Sequence, residues 1–116
     1  MALLMVMVYP VNGDPYLLGM PKTLEAMQQV VGGYIEMVRP AADLTLVCNE
    51  EGVGLGLPVN PHTMVDGRSI GEFVHLPDGA HIMGTYFVAG AIDGNGELTD
   101  IPERIRLAGR DPALFR

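Results

Sequence analysis

The sequence is poor in the residues that most often perform nucleophilic chemistry. Among 116 residues there is one cysteine and no tryptophan, and Ser69 is the only serine. A single cysteine cannot form a disulfide within the chain. Cys48 follows Leu46 and Val47 in an apolar run, which indicates a buried thiol rather than a nucleophile. Ser69 lies outside any Gly-x-Ser-x-Gly motif, which argues against a serine hydrolase.

Charge is also scarce, and basic charge most of all. Only 18% of the residues are charged, with 7 Lys and Arg against 14 Asp and Glu, for a net charge of −7. A protein that binds nucleic acid needs a basic face to neutralise phosphates, so direct nucleic-acid binding is not expected. With 48% hydrophobic residues the chain is too apolar for a disordered protein. We expect some apolar side chains to remain on the surface of the folded chain and a homo-oligomer to cover part of that surface.

Long hydrophobic runs are missing as well. The first apolar run, Ala2–Tyr9, has no basic residues before it and is cut by Pro10, unlike a signal peptide. No run approaches the roughly 18 residues that cross a bilayer. We therefore expect a cytoplasmic protein with no membrane partner.

The spacing of apolar residues predicts one α+β domain over residues 1–116, with a small, mostly antiparallel sheet packed by one main helix. That helix spans about 23–32, with Thr23 as N-cap and Gly32 and Gly33 as its stop. A long loop with five Gly or Pro residues covers 53–69, and a short element is possible at Ile70–Phe73. The predicted strands are Ala2–Tyr9, Tyr16–Met20, Tyr34–Val38, Leu44–Asn49 and Ile82–Val88.

Two further elements are predicted near the C-terminus. Asp93-Gly94-Asn95-Gly96 is typical of a tight turn. Thr99 then caps a short helix through Leu107, with Pro102 in its first turn.

The glycine-rich segment Gly52–Gly56 has the composition of a phosphate-binding loop. Pro58 and Pro61 follow it, however, and deny it the helix whose N-terminus would hold the phosphate. A flexible hairpin connection is the better interpretation.

Metal sites are not indicated, and we expect no metal and no cofactor. Asp93–Glu97 opens like a calcium loop, but the twelfth position, which must supply a bidentate glutamate, is Arg104. Zinc sites need closely spaced ligands. No such spacing relates His62, His75, His81 and Cys48.

Four blocks of sequence occur in a defined order: Leu24–Glu36, Leu46–Gly52, Gly56–Asn60 and Ile82–Thr85. Together they resemble a small domain of unknown function found in phages, plasmids and other mobile elements, over roughly residues 16–90. Pro61 departs from the family, which often has a basic residue there. The resemblance supplies no catalytic residues. It implies a phage or mobile-element origin and, by analogy, a role in countering host defences.

Five residues form the candidate ligand site. Tyr34 is predicted to stack on a base, Glu36 and Asn49 to contact its polar edge or a ribose, and Asn60 and Arg68 to contact phosphate. Asn49 is equally able to hydrogen-bond the backbone and shape the following turn. Glu50 and Glu51 are interpreted as a solvated turn, with acid–base catalysis as the alternative.

These observations lead to a functional hypothesis with two alternatives. We expect a non-enzymatic accessory protein, located in the host cytoplasm if phage-encoded, that forms a homo-oligomer and sequesters a small anionic nucleotide-type immune signal. The first alternative is an acidic, DNA-mimic-like inhibitor of a host nuclease or restriction factor, and the second is a nucleotide-processing enzyme that uses Glu50 or Glu51 as base.

Overall fold

The computed structural model describes residues 3–41, 43–65, 68–69 and 82–108, the side chains of 39–41, 68–69 and 106–108 excepted. Over these residues the chain forms an α+β fold, as predicted. The helices are α1 (Leu24–Val31) and α2 (Glu103–Ala108). The strands are β1 (Leu3–Tyr9), β2 (Tyr16–Pro21), β3 (Ile35–Ala41), β4 (Leu44–Asn49), β5 (Met64–Val65), β6 (Arg68–Ser69) and β7 (Tyr86–Gly90).

Five of the strands form one antiparallel sheet in the order β2-β1-β7-β4-β3. In the central strand β7, Val88 lies opposite Met7 of β1 and Leu46 of β4. Strands β5 and β6 pair separately. Because β1 and β4 flank the central strand, their apolar runs are buried on both faces of the sheet.

The sheet carries a separate core on each face. One face packs against α1 and includes Val6, Val47 and Phe87. The other face includes Leu46 and Cys48, packed with residues from the C-terminal segment. Neighbouring residues of β4 thus face opposite cores, and the predicted burial of the Cys48 thiol is confirmed.

Helix α1 has the capping groups that its sequence predicts. The Thr23 hydroxyl oxygen accepts a hydrogen bond from the Ala26 N–H at 3.2 Å. At the other end Gly32 adopts φ +83°, and the N–H groups of Gly32 and Gly33 both donate to the Gln28 carbonyl. No helix in the described ranges is long and apolar enough to cross a membrane.

The last strand of the sheet begins later than predicted. β7 starts at Tyr86 rather than Ile82. Gly84 has φ +87°, outside the extended region, and its N–H donates to the Pro58 carbonyl. Met83 forms an isolated bridge with Val59. The segment before β7 thus pairs with the long loop instead of extending the strand.

Thr99 does not cap a helix, contrary to the prediction. Its hydroxyl donates to the Ala91 carbonyl at 2.6 Å, and α2 begins four residues later. The chain between is not helical. Asp100 and Ile101 instead contact Met5 of β1: the Met5 N–H donates to Asp100 Oδ1, and the Ile101 N–H to the Met5 carbonyl, both at 2.9 Å.

The turn predicted at Asp93–Gly96 is confirmed. Ile92 and Leu98 form an antiparallel bridge across it. The N–H groups of Asn95 and Glu97 donate to Asp93 Oδ1, and these bonds hold the pKa of the Asp93 carboxyl below its ordinary value. The possible element at Ile70–Phe73 lies outside the described residues.

One buried hydroxyl in the described part of the core is unsatisfied, which gives a stability prediction. Thr45 is 0% exposed, and its Oγ1 has no hydrogen-bond partner among the described residues. We expect Thr45→Val to raise the free energy of unfolding by about 1 kcal/mol, because it replaces a buried, unpaired hydroxyl with a methyl group of similar shape. Urea denaturation measures this.

Thr45→Ala is the matched control for this substitution, because it removes the same hydroxyl and also leaves a cavity; it should lower stability relative to Thr45→Val. A destabilised Thr45→Val would contradict the account by showing that the hydroxyl has a partner.

Candidate functional site

A groove of about 300 Å³ opens where α1 ends and β4 runs into the next turn. We call it the Tyr34 groove. Tyr34 is 65% exposed and Leu55 is 57% exposed, so both present apolar surface to solvent there. Its lining residues are Gln28, Gly33, Tyr34, Asn49, Glu51 and Leu55.

Asn49 holds the walls of the groove together. Its side chain is 6% exposed. The Nδ2 donates to the Val31 carbonyl at 3.1 Å, and the Oδ1 accepts from the Glu51 N–H at 2.8 Å. One amide therefore links the end of α1, the end of β4 and the turn. The predicted turn-shaping role of Asn49 is confirmed, and Asn49 also borders the groove.

The turn after β4 is held by backbone contacts. The Glu50 N–H donates to the Tyr34 carbonyl and the Leu55 N–H to the Glu51 carbonyl, both at 2.8 Å. A Cβ at Gly52 would lie 2.7 Å from the Met83 carbonyl oxygen. Only glycine allows this approach, so the turn packs directly against the segment before β7.

A smaller hollow of about 140 Å³ also borders Asn49. Its lining includes Glu36, Cys48, Glu50 and Met83. Glu36 pairs with Cys48 across β3 and β4. Asn49 borders both spaces, whereas Glu36 lines only this hollow and Tyr34 only the groove. The residues predicted to hold the base thus divide between two neighbouring spaces.

The thiol in this hollow is poorly suited to nucleophilic chemistry. Burial, reinforced by the negative charge of Glu36, raises the pKa of Cys48 from 9.0 to about 11. The reactive thiolate is therefore rare at neutral pH.

Asn60, predicted to contact phosphate, lies elsewhere and is 1% exposed. Its Nδ2 donates to the carbonyls of Tyr9 at 2.8 Å and Gly84 at 2.9 Å, and its Oδ1 accepts from the His62 N–H at 2.8 Å. Both amide protons are engaged inside the protein. Asn60 consequently fixes the long loop to β1 and to the segment before β7.

An aromatic cluster surrounds this second asparagine. The rings of Tyr9 and Tyr86 stack with centroids 4.8 Å apart, and His62 meets Tyr9 edge-on at 6.0 Å. The Tyr86 hydroxyl donates to the His62 carbonyl at 2.6 Å, and burial raises the pKa of Tyr86. His62 Nε2 lies 2.8 Å from the Gly13 carbonyl, which only accepts, so Nε2 carries a proton.

The remaining predicted residue, Arg68, lies in β6 opposite Val65. Its side chain is outside the described part of the structure, so its phosphate contact stays a prediction. Elsewhere, Arg104 donates from both terminal nitrogens to the carboxylate of Asp43. Within residues 3–41, 43–65, 68–69 and 82–108, no three His, Cys, Asp or Glu side chains are arranged to hold a metal ion.

The sequence matches the family described as Domain of unknown function (DUF3846) over residues 3–110. The chain belongs to this family. The match covers nearly the whole chain and agrees with the resemblance to a small domain of unknown function. Comparison with curated proteins and with solved structures gave no match.

Sequence reasoning missed part of the groove in this DUF3846 domain. Neither Gln28 in the predicted helix nor Leu55 in the predicted long loop was a candidate site residue. Gly33 could have been identified from the sequence, because the paired glycines Gly32 and Gly33 directly precede the candidate residue Tyr34. A Cβ at Gly33 would lie 3.0 Å from Asn49 Nδ2, so the second glycine leaves space for the asparagine amide.

The buried hydrogen bonds of Asn60 give a prediction about stability. Asn60→Ala should lower the free energy of unfolding by about 3 kcal/mol, because two carbonyls and one N–H lose their buried partner. Asn12→Ala, at an exposed position, is the control and should change stability by less than about 0.5 kcal/mol. Equal effects in thermal or urea unfolding would contradict the role of Asn60.

Cys48 gives a reactivity prediction. Because the pKa of the Cys48 thiol rises from 9.0 to about 11 on folding, its thiolate population at pH 8 falls by about 100-fold. Iodoacetamide should therefore alkylate Cys48 at least about 100-fold more slowly in the folded DUF3846 domain than in the urea-unfolded chain, as measured by intact mass. Similar rates would show an accessible, reactive thiol.

Proposed function

We propose that this DUF3846 domain binds a small nucleotide-type ligand without turning it over, with the base of the ligand in the Tyr34 groove. The observation that carries the proposal is the Tyr34 ring, 65% exposed beside a groove of about 300 Å³. Large aromatic side chains are usually buried in a protein of this size, and an exposed ring next to a concave surface is a common feature of ligand sites.

Aromatic stacking suits a base. Every nucleobase has a π-face, and stacking on an aromatic side chain contributes about 1–3 kcal/mol per base. The groove is at the lower end of the range for ligand pockets, about 300–1,000 Å³. It therefore matches a base-sized part of a ligand, with the sugar and phosphates outside.

The chemistry of the surrounding side chains favours binding over catalysis. The Asn49 Oδ1 and one Nδ2 proton are engaged in holding the backbone, and Cys48 keeps its proton at neutral pH. Glu50 and Glu51 are exposed and line different spaces, so they do not form a close pair for general acid–base work.

The biological setting in this proposal comes from the sequence resemblance. A small accessory protein of a phage or mobile element would counter host defence by sequestering a signalling nucleotide. The exposed apolar side chains include Val53 at 80% and Val59 at 50%, and we propose that a homo-oligomer covers part of this surface. Arg68 remains the residue proposed for phosphate contact.

Native mass spectrometry of the purified protein, before and after exposure to a cellular nucleotide extract, tests the proposal. An oligomer that gains a discrete small mass, and releases it unchanged on denaturation, is the expected result. A protein that gains no mass would contradict ligand capture. It would favour the inhibitor alternative, for which the exposed carboxylates of Glu36, Glu50 and Glu51 are the supporting observation.

A pair of tyrosine variants tests the groove. Tyr34→Ala should weaken binding of the captured nucleotide by about tenfold or more, because stacking is lost. Tyr16→Ala is the matched control, since Tyr16 is 47% exposed on β2 and does not line the groove. Isothermal titration calorimetry measures both. Equal affinities for the two variants would contradict a role for the groove.

A further inference from the structure

The charged side chains described in the lining of the groove and of the neighbouring hollow are all acidic. Glu51 lines the groove, and Glu36 and Glu50 line the hollow, which also borders Asn49. α1 also ends at the groove, and the C-terminal end of a helix carries partial negative charge. Phosphate is repelled by such surroundings. A neutral group rich in N–H donors is attracted.

The hydrogen-bonding groups of the groove are of two kinds. An ionised carboxylate only accepts, and its two oxygens can accept a parallel pair of N–H groups. Glu51 supplies this group. Glu51 is exposed, and its hydrogen bond to Asn49 uses its backbone N–H rather than its carboxylate. The amides of Gln28 and Asn49 supply donors. Asn49 Nδ2 has a second proton besides the one donated to Val31.

We propose, on the basis of the proposed function, that the base accepted by the Tyr34 groove is guanine. The Watson–Crick edge of guanine presents two adjacent donors, N1–H and the 2-amino group, next to the O6 acceptor. The Glu51 carboxylate accepts from the two donors, and an amide N–H of Gln28 or Asn49 donates to O6. Tyr34 stacks on the ring.

The same groups discriminate against adenine. Its N1 is an acceptor, and the Glu51 carboxylate would place a second acceptor against it. A site built to pair polar groups rejects an analogue that leaves them unpaired. The phosphates of a guanine nucleotide must point away from the glutamates, so they contribute little to binding within the groove.

Calorimetric titration with four probes tests the proposal: guanosine, inosine, adenosine and guanosine 5′-monophosphate. We expect guanosine to bind at least tenfold more tightly than adenosine. Inosine, which lacks the 2-amino group, should bind between the two. The monophosphate should bind at least as tightly as guanosine, because its phosphate lies outside the groove, where Arg68 is the residue proposed to contact it.

Two glutamate variants complete the test. Glu51→Gln should abolish the preference for guanosine over adenosine, whereas Glu50→Gln, an identical change at the adjacent residue, should keep it. Circular dichroism confirms that both variants fold. A preference that survives Glu51→Gln, or one that both variants lose, would overturn the assignment of Glu51.

The probes also separate this inference from the proposed function. If adenosine binds as tightly as guanosine and Tyr34→Ala weakens both, the groove binds bases and the guanine assignment is overturned. If none of the four probes binds, and the protein also gains no mass from the nucleotide extract, the proposed function itself is overturned and the guanine assignment with it.

Discussion

The two hydrogen bonds of the Asn49 side chain are the constraint on which the candidate site depends. They connect the Val31 carbonyl at the end of α1 with the Glu51 N–H in the turn after β4. Because both bonds come from one buried side chain, they fix the position of the helix end relative to the turn. The glycine at position 33 leaves room for the amide. The Tyr34 groove is therefore a consequence of how one buried asparagine is satisfied.

Asn60, a second buried asparagine, makes the same kinds of hydrogen bond at the other end of the connection that runs from Asn49 to Asn60. Asn49 and Asn60 each accept an N–H from the residue two positions ahead, and each donates to the carbonyl of a distant segment. Backbone hydrogen bonds of turns hold the connection between them, and the two asparagine side chains fix both of its ends. This arrangement allows the exposed apolar residues Val53 and Leu55 to be held beside the sheet without a helix or strand of their own.

Local patterns predicted the elements whose determinants are local. The caps of α1 and the bounds of β4 could be predicted because the relevant residues are within a few positions of one another. The start of β7 and the role of Thr99 could not be predicted in this way. They depend on hydrogen bonds between segments that are distant in sequence, such as the bond between Met5 and Asp100, which are 95 positions apart. The groove was only partly foreseen for the same reason: Tyr34 and Asn49 were identified, but their proximity to Gln28 and Leu55 is a property of the fold.

We propose that the groove beside Asn49 receives a nucleobase. The most direct test is a titration of the isotope-labelled protein with guanosine, followed by ¹H–¹⁵N correlation spectra. Base binding in the groove should shift the backbone signals of Gly33 and Tyr34 and the side-chain amide signals of Gln28 and Asn49, and should leave the Asn60 side-chain amide unchanged. Unchanged signals at Gly33, Tyr34, Gln28 and Asn49, or shifts centred on Asn60, would contradict it.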